Sequence, residues 1–395
     1  MNDVELEERI SALAGAGGTL GELSACVRLL LKRDLHREAR RLIHYGLRRW
    51  PSAHQLQLML GELALRERDL RAAAFAFASA SAIAPHSHQA QEALAKLLRR
   101  ETPTWHFPMM NDQPRNEAFD QAIRAKVRPG MHVLDIGCGG GLLSLMAARA
   151  GGEVIACEVS EHLIPVAREI IAENGYQEQI KLFQRHSTSL NLGVELDQPA
   201  ELLICEIFDV SLFGEDALHT IQHARRHLLS EDAEVIPAGA RLWALPVSSP
   251  MLRDRFVVDQ SVGFELGAFN QLQELRPLQI EAQHFDYQAL SEPLLAAEVD
   301  FLEPNGPALS GEAISAGIAT QSGTYDGVLF WYELLLDREG DVILSTAPDQ
   351  PGTHWRQCFF PAQSGGTLEA GDHFQLMTRY RRYWLDFQLI GVREK

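Results

Sequence analysis

The stretch Val133-Leu134-Asp135-Ile136-Gly137-Cys138-Gly139-Gly140-Gly141 constrains this chain more than any other. It reads as an apolar strand with an acid near its end, then a glycine turn. Leu142-Leu143-Ser144-Leu145-Met146-Ala147-Ala148 follows with helical character. Glycine lets the backbone turn sharply and lets a ligand come close to main-chain N–H groups. A second apolar run, Val154–Cys157, ends in Glu158, 23 positions after Asp135. An acid at that place binds ribose hydroxyls in nucleotide-binding α/β folds. A dinucleotide fingerprint needs a further glycine at 142, where this chain has Leu142. The layout therefore suits S-adenosylmethionine better than NAD.

The rhythm around this motif extends the reading. Apolar segments at 133–136, 154–157, 180–183 and 201–205 alternate with helical patterns at 142–150, 160–172 and 214–229. That alternation predicts a mostly parallel, Rossmann-like sheet covered by helices on both faces. Beyond Ile236-Pro237 the pieces are strand-like: Arg241–Val247, Ala297–Phe301, Gly327–Leu336, His354–Phe360 and His373–Met377. They predict a β-barrel or sandwich. The weaker periodicity of Asp259–Glu292 suggests a projecting arm.

The first hundred residues are helical in pattern and contain a repeat. Leu60-Gly61, Ala64, Ala73, Phe77, Ala80 and Pro85 fit a tetratricopeptide unit, with Ala39, Ile43, Gly46 and Pro51 34 residues earlier. A partial unit runs through Ala93, Leu94 and Leu97. An unrelated array of helical hairpins would have nearly the same shape. Glu101-Thr102-Pro103-Thr104-Trp105 breaks the pattern as a linker. Three parts are expected: all-α repeats at 1–102, a cofactor-binding α/β domain at 103–236 and a β-barrel at 237–395.

A formal net charge of −17 argues against a general nucleic-acid binder and favours cationic partners, although acidity can also serve solubility alone. The five cysteines are scattered without a CxxC pair, which fits reduced thiols in a cytoplasm and no zinc site. The acidic start Met1–Glu8 is not a signal peptide, and no apolar run is long enough for a membrane span.

The fourth apolar strand ends in Cys205-Glu206, and Glu215 closes the turn after it. Two carboxylates bracketing a turn beside a methyl donor can grip a cation, and a guanidinium offers paired planar donors. Two solvated loop acids would leave the same trace. With four further segments, however, the sequence resembles the protein arginine methyltransferases. Met109-Met110-Asn111-Asp112-Gln113-Pro114-Arg115-Asn116 resembles their cofactor-covering helix. Val133–Gly141 is similar to their cofactor motif, and Ala156–Ser160 to their ribose-binding segment. Glu206 and Glu215 are similar to their double-glutamate loop, and Thr353-His354-Trp355 to their Thr-His-Trp loop. Asp209 and Gly214 resemble the subgroup with two modules in tandem, of which this chain has one.

The resemblance implies roles for single residues. Met109 and Arg115 would cover the cofactor, with Arg115 on its methionine carboxylate. Asp135, Gly137, Cys138 and Gly139 would lie along its methionine and ribose, and Glu158 would accept from the ribose hydroxyls. Ser187, in Arg185-His186-Ser187-Thr188, stands where many members hold adenine through a glutamate. Glu206 and Glu215 would hold the substrate guanidinium beside Trp355, and His354 would pair with Asp112. The implied activity is methylation of arginine in a protein or peptide. A small guanidino substrate is the alternative, as is a scaffold whose repeat face binds a partner while the module is silent. By resemblance the chain forms a homodimer through the arm, whose apolar residues are Phe264, Leu266, Phe269, Leu272, Leu275 and Leu278. The family's Tyr-Phe-x-x-Tyr segment is absent, and Trp105-His106-Phe107 stands near its place.

Overall fold

The structure, a computed structural model, describes residues 18–67, 69–101, 106–272, 276–350 and 353–393. The chain divides into two compact units, Met1–His106 and Phe107–Lys395. The expected linker falls mainly on 102–105, outside the described residues, and the division itself lies at 106/107.

In the first unit, α1 (Leu20–Lys32), α2 (His36–Arg49), α3 (His54–Arg66), α4 (Leu70–Ile83) and α5 (His88–Glu101) follow one another. Helices begin at 20, 54 and 88, and at 36 and 70, so each type recurs after the 34 residues read from sequence. Thr19 starts α1 with a capping box, accepting from Glu22 N while the Glu22 carboxylate accepts from Thr19 N. Small residues allow close packing. A Cβ on Gly46 would lie 2.6 Å from Leu56 Cδ1, and one on Gly61 would lie 2.3 Å from the Phe77 ring. Pro51 and Pro85 follow the ends of α2 and α4, where a proline cannot continue a helix.

The second unit begins one residue into a short helix, α6 (His106–Met110), followed by α7 (Gln113–Lys126). Five parallel strands then form: β1 (His132–Ile136), β2 (Glu153–Glu158), β3 (Ile180–Gln184), β4 (Ala200–Cys205) and β5 (Leu229–Ile236). Their order is β3-β2-β1-β4-β5, with α8 (Leu142–Arg149), α9 (Leu163–Glu173) and α10 (Ala217–His227) between them. The order reverses beside β1, so the ends of β1, β2 and β4 open a crevice where such sheets bind ligands. Leu134, Leu202, Leu203 and Ile204 are fully buried, which explains their uninterrupted apolar run.

The remaining strands form an antiparallel, barrel-like half. Its seven-stranded sheet is built on β6 (Gly239–Ser248), β13 (Gly323–Leu335) and β15 (Gln357–Leu368). The three-stranded sheet joins β12 (Ser310–Ile318), β16 (His373–Arg381) and β17 (Trp384–Arg393). The boundary expected at 236/237 does not divide the core. One hydrophobic cluster runs from Phe119, Leu134 and Phe213 to Phe301, Tyr332, Phe360 and Phe387. Each such side chain contributes about 1.5–3 kcal/mol when fully buried, so the two halves stabilise each other.

Two expectations change. His354 and Trp355 lie in a loop, and the strand starts only at Gln357. The arm is also shorter than Asp259–Glu292. Leu278–Ile280 returns to the sheet as β9, pairing with β15, and Ile280 is buried beside Phe359. What projects is the segment around β7 (Gln260–Ser261), β8 (Phe264–Glu265) and the turn Gly267–Leu272. Leu275 lies outside the described residues.

Candidate active site

The crevice is assembled from the ends of β1, β2 and β4, the start of α7 and the loop before β15. At β1 the chain turns through Gly137, Gly139 and Gly141, with φ of 74°, 53° and 85°, where glycine alone is unstrained. A Cβ on Gly137 would lie 2.4 Å from Ile207 Cγ2, whereas beside Gly139 there is open space. The Gly137 and Cys138 N–H groups both donate to the Cys157 carbonyl, at 2.9 and 3.1 Å. Burial pushes the thiols of Cys138 and Cys157 well up, Cys157 to about 12, so neither is a ready nucleophile.

Glu158, buried at the end of β2, fastens this turn. Its Oε2 accepts from Gly139 N at 3.0 Å and its Oε1 from Ser160 N at 2.7 Å. The Arg185 N–H donates to the Glu158 carbonyl, which brings the buried Ser187 to the same edge. Asp135 is buried and accepts from the Ser144 hydroxyl through Oδ2. Its Oδ1 has no hydrogen-bond partner among the described residues. Burial, then the charges of Glu158 and Glu206, raises Asp135 to about 7 against the Ser144 hydrogen bond.

Asp112 caps α7, accepting from Arg115 N at 3.0 Å, and it also receives His354. The His354 N–H donates to Asp112 Oδ2 at 2.7 Å, and Nδ1 lies 2.9 Å from the same oxygen. Burial works to raise Asp112, but the hydrogen bonds from His354 and Arg115 hold it below the usual carboxylate range. The pair expected from sequence is therefore met in space, across 242 residues.

Arg115 is buried and ion-paired with Glu206. It also donates to Asn116 Oδ1 at 2.7 Å and lies 5.3 Å from the Phe119 ring centroid. Its Nε has no partner among the described residues. The sequence assigned Arg115 to a cofactor carboxylate and did not foresee this pairing. Met109 is half-buried on α6, while a Cβ at Gly140 would stand 3.4 Å from the neighbouring Met110 Cε. Trp355 is buried beneath the glutamate loop and donates its indole N–H to the Phe208 carbonyl at 3.2 Å.

Between Glu206 and Glu215 the loop is folded around Asp209. Its Oδ1 accepts from Ser211 N at 3.0 Å, Ser211 Oγ at 2.8 Å and Gly214 N at 2.9 Å. A Cβ on Gly214 would collide with that carboxylate. The folding brings the two glutamates within electrostatic reach. Loss of water, then the charges of Glu206, Asp209 and Glu158, raises Glu215 to about 7. Glu215 is itself exposed to solvent. The charges of Glu206, Asp209 and Glu158 thus bear on Glu215, and Glu206 is paired with the buried Arg115.

Two family models match: a methyltransferase domain over residues 133–231, and an arginine methyltransferase oligomerization subdomain over 238–385. An arginine N(omega)-methyltransferase of Streptomyces achromogenes subsp. streptozoticus is 35% identical over 303 residues, covering 75% of this chain and 81% of that protein. The chain belongs to the arginine N-methyltransferase family. Protein arginine N-methyltransferase 7 of Oryza sativa subsp. indica is 31% identical over 72% of this methyltransferase, and that of Drosophila melanogaster 30% over 70%. The chain spans less than half the length of these two, 45% and 47%. Among solved structures, the Trypanosoma brucei PRMT1 enzyme–prozyme heterotetrameric complex with AdoHcy matches with a TM-score of 0.63 and 25% identity. The match covers 73% of this chain and 93% of that one.

The cofactor of the methyltransferase is S-adenosylmethionine, and the crevice fits it. The open side of Gly139 leaves room along the turn, and the unpartnered Asp135 Oδ1 and Arg115 Nε are buried polar atoms of the kind a polar ligand satisfies. Arg115, Asp135, Glu158 and Ser187 would hold it.

Proposed function

We propose that the protein methylates a guanidinium nitrogen of arginine within a protein or peptide, with Glu206 and Glu215 as its grip. The observation that carries this reading is the loop that Asp209 folds so that the charge of Glu206, paired with Arg115, bears on Glu215. S-adenosylmethionine supplies an electrophilic sulfonium methyl when bound. Glu206 and Glu215 orient the planar guanidinium through charge-assisted bonds and so supply proximity and alignment. The methylated nitrogen must then shed a proton, and Glu215, near 7, is placed to take it. His354 and Asp112 brace the start of α7, on which Arg115 sits.

One observation favours a second substrate, free arginine: the Streptomyces relative, matched over 81% of its length, is named for arginine itself. Labelled methyl transfer from S-adenosylmethionine to arginine-rich peptides and to free L-arginine in parallel decides between them. Label on neither substrate would sink both readings and leave the repeat-borne scaffold.

The raised Glu215 sets a pH dependence. Only the ionised carboxylate attracts a guanidinium, so kcat/KM for the arginine substrate should climb with pH through about 7. The measurement uses saturating cofactor, so that Asp135 is not read. A profile that stays flat across this range would take Glu215 out of substrate binding.

The chain should also pair with a second copy. Val262, Phe264, Phe269 and Leu272 of the arm are 91%, 68%, 65% and 75% exposed, a patch that invites cover. The arm lies within the stretch matched as an oligomerization subdomain. Light scattering should give close to twice the 44.0 kDa chain mass, and replacing residues 260–272 by a short linker, which spares β9, should give monomer. A parent chain that is monomeric and fully active would defeat the arm's role. The repeats of the first unit are offered as tetratricopeptide repeats that bind a partner. The five free, buried cysteines agree with a cytoplasmic setting, and no described helix is long and apolar enough to cross a membrane.

A further inference from the structure

The glutamate loop is held from the barrel side at successive points along its length. Trp355 Nε1 donates to the Phe208 carbonyl and the Cys358 thiol to the Val210 carbonyl, at 3.2 and 3.4 Å. The Tyr380 ring stacks on Phe213 with centroids 4.8 Å apart and planes 6° from parallel. Arg382 then closes a fork on Asp216, Nε to Oδ1 at 2.6 Å and Nη2 to Oδ2 at 2.7 Å. Tyr380 and Arg382 belong to a single hairpin, β16–β17.

This hold meets a need of the loop. Leu212 and Asp216 have φ of 75° and 61°, a region that is strained for side-chain-bearing residues. Asp216 stands at the N-cap of α10, where an aspartate would ordinarily accept from the helix N–H groups, yet it makes no capping bond. Its carboxylate is given to Arg382 instead. The hairpin is shaped for the task. Gly311 of β12 is registered opposite Tyr380, and a Cβ there would lie 2.6 Å from the ring. At the turn, Arg382 has φ of 54° and its N–H donates to the Leu309 carbonyl at 2.6 Å. The far end of α10 is fastened too, since Arg225 donates to the Leu302 and Glu303 carbonyls and Arg226 to that of Asn305. Glu215 is the residue between Phe213-Gly214 and Asp216, so its backbone is fixed on both sides by the hairpin.

We infer that the β16–β17 hairpin sets the position of Glu215, with Arg382 a positioning residue that acts through Asp216. The inference rests on the reading that Glu215 holds the substrate guanidinium. Arg382 touches no reacting group in this scheme. Its ion pair is half-exposed, and exposed pairs add little to stability. Misplacing a catalytic group by an ångström, in contrast, costs on the order of a hundredfold in rate. The hairpin's effect should therefore appear in turnover and not in folding.

The test is Arg382→Ala, Asp216→Asn, which suits the left-handed backbone there, and the double variant, with Glu215→Gln alongside. kcat and KM for the arginine substrate, the cofactor dissociation constant and Tm are measured for each. Each single variant should lose at least about tenfold in kcat/KM, while the cofactor constant stays within about twofold and Tm is unchanged. The double variant should be no worse than either single one, as expected of residues acting as a unit. Arg382→Lys, which loses the fork but keeps the charge, should fall between. Arg382→Ala with activity within about twofold of the parent would overturn the inference, as would a loss matched by equal losses in cofactor affinity and Tm. If Glu215→Gln is inactive while Arg382→Ala is not impaired, only the hairpin's role falls. If Glu215→Gln keeps its activity, the grip reading fails and takes the inference with it.

Discussion

Glu206→Gln should lower kcat/KM for an arginine substrate by at least about a hundredfold, a transition-state loss of about 2.7 kcal/mol. The amide keeps the size and shape of the side chain but removes the charge that attracts a guanidinium. Charge-assisted hydrogen bonds are about twice as strong as neutral ones, and the loss falls where the substrate is aligned. The structure adds a complication, because Glu206 is also the ion-pair partner of the buried Arg115. Removing a charge from a buried pair is costly when the other is left alone. Here Arg115 is not left alone. The glutamine oxygen can still accept from it, Asn116 Oδ1 lies 2.7 Å from Nη1, and the Phe119 and Trp355 rings flank it. Cofactor affinity should accordingly move by less than about tenfold, or 1.4 kcal/mol. Calorimetric titration of the cofactor and steady-state kinetics on one preparation separate the two effects. Retention of more than about a tenth of the activity, a loss under ~1.4 kcal/mol, would mean that Glu206 serves Arg115 and not the substrate.

What the sequence made legible follows from how locally each feature is encoded. β1 to β4 stood out because strands buried on both faces must be apolar without interruption, as Leu202–Ile204 are. The glycine turn was legible because positive φ at Gly137, Gly139 and Gly141 excludes most other residues. The 34-residue spacing of the helices was legible because close packing at Gly46 and Gly61 leaves no room for a side chain. β12 left little trace, since Ser310-Gly311-Glu312-Ala313 has small residues on the face that Tyr380 covers. The return of the arm as β9 depends on backbone pairing with Gln357–Phe359, which three residues of ordinary composition cannot announce. The Arg115–Glu206 and Arg382–Asp216 pairs join residues 91 and 166 positions apart. A motif marks Glu206 but does not say which cation reaches it, and neither Asp216 nor Arg382 belongs to a motif read from the sequence.

Glu158→Ala should act on the other half of the reaction, raising the cofactor dissociation constant by at least about tenfold while an arginine substrate at saturating cofactor is turned over with little change in KM. The factor follows from the loss of hydrogen bonds to a charged acceptor, each contributing about 1.5–3 kcal/mol. Two causes are mixed in it. Glu158 is the acceptor offered to the ribose, and it also satisfies the Gly139 and Ser160 N–H groups at 3.0 and 2.7 Å. Alanine would release the glycine turn as well as the ligand. A cofactor analogue lacking one ribose hydroxyl separates them. If Glu158 works through the ribose, the parent should bind that analogue more weakly than the intact cofactor, and Glu158→Ala should bind the two alike, because the interaction energy in such a cycle belongs to the pair. If Glu158 serves only to fasten the turn, both proteins should discriminate against the analogue equally. An unchanged dissociation constant for the intact cofactor would remove Glu158 from both tasks, and the open space beside Gly139 would then need another residue to explain how a ribose is held there.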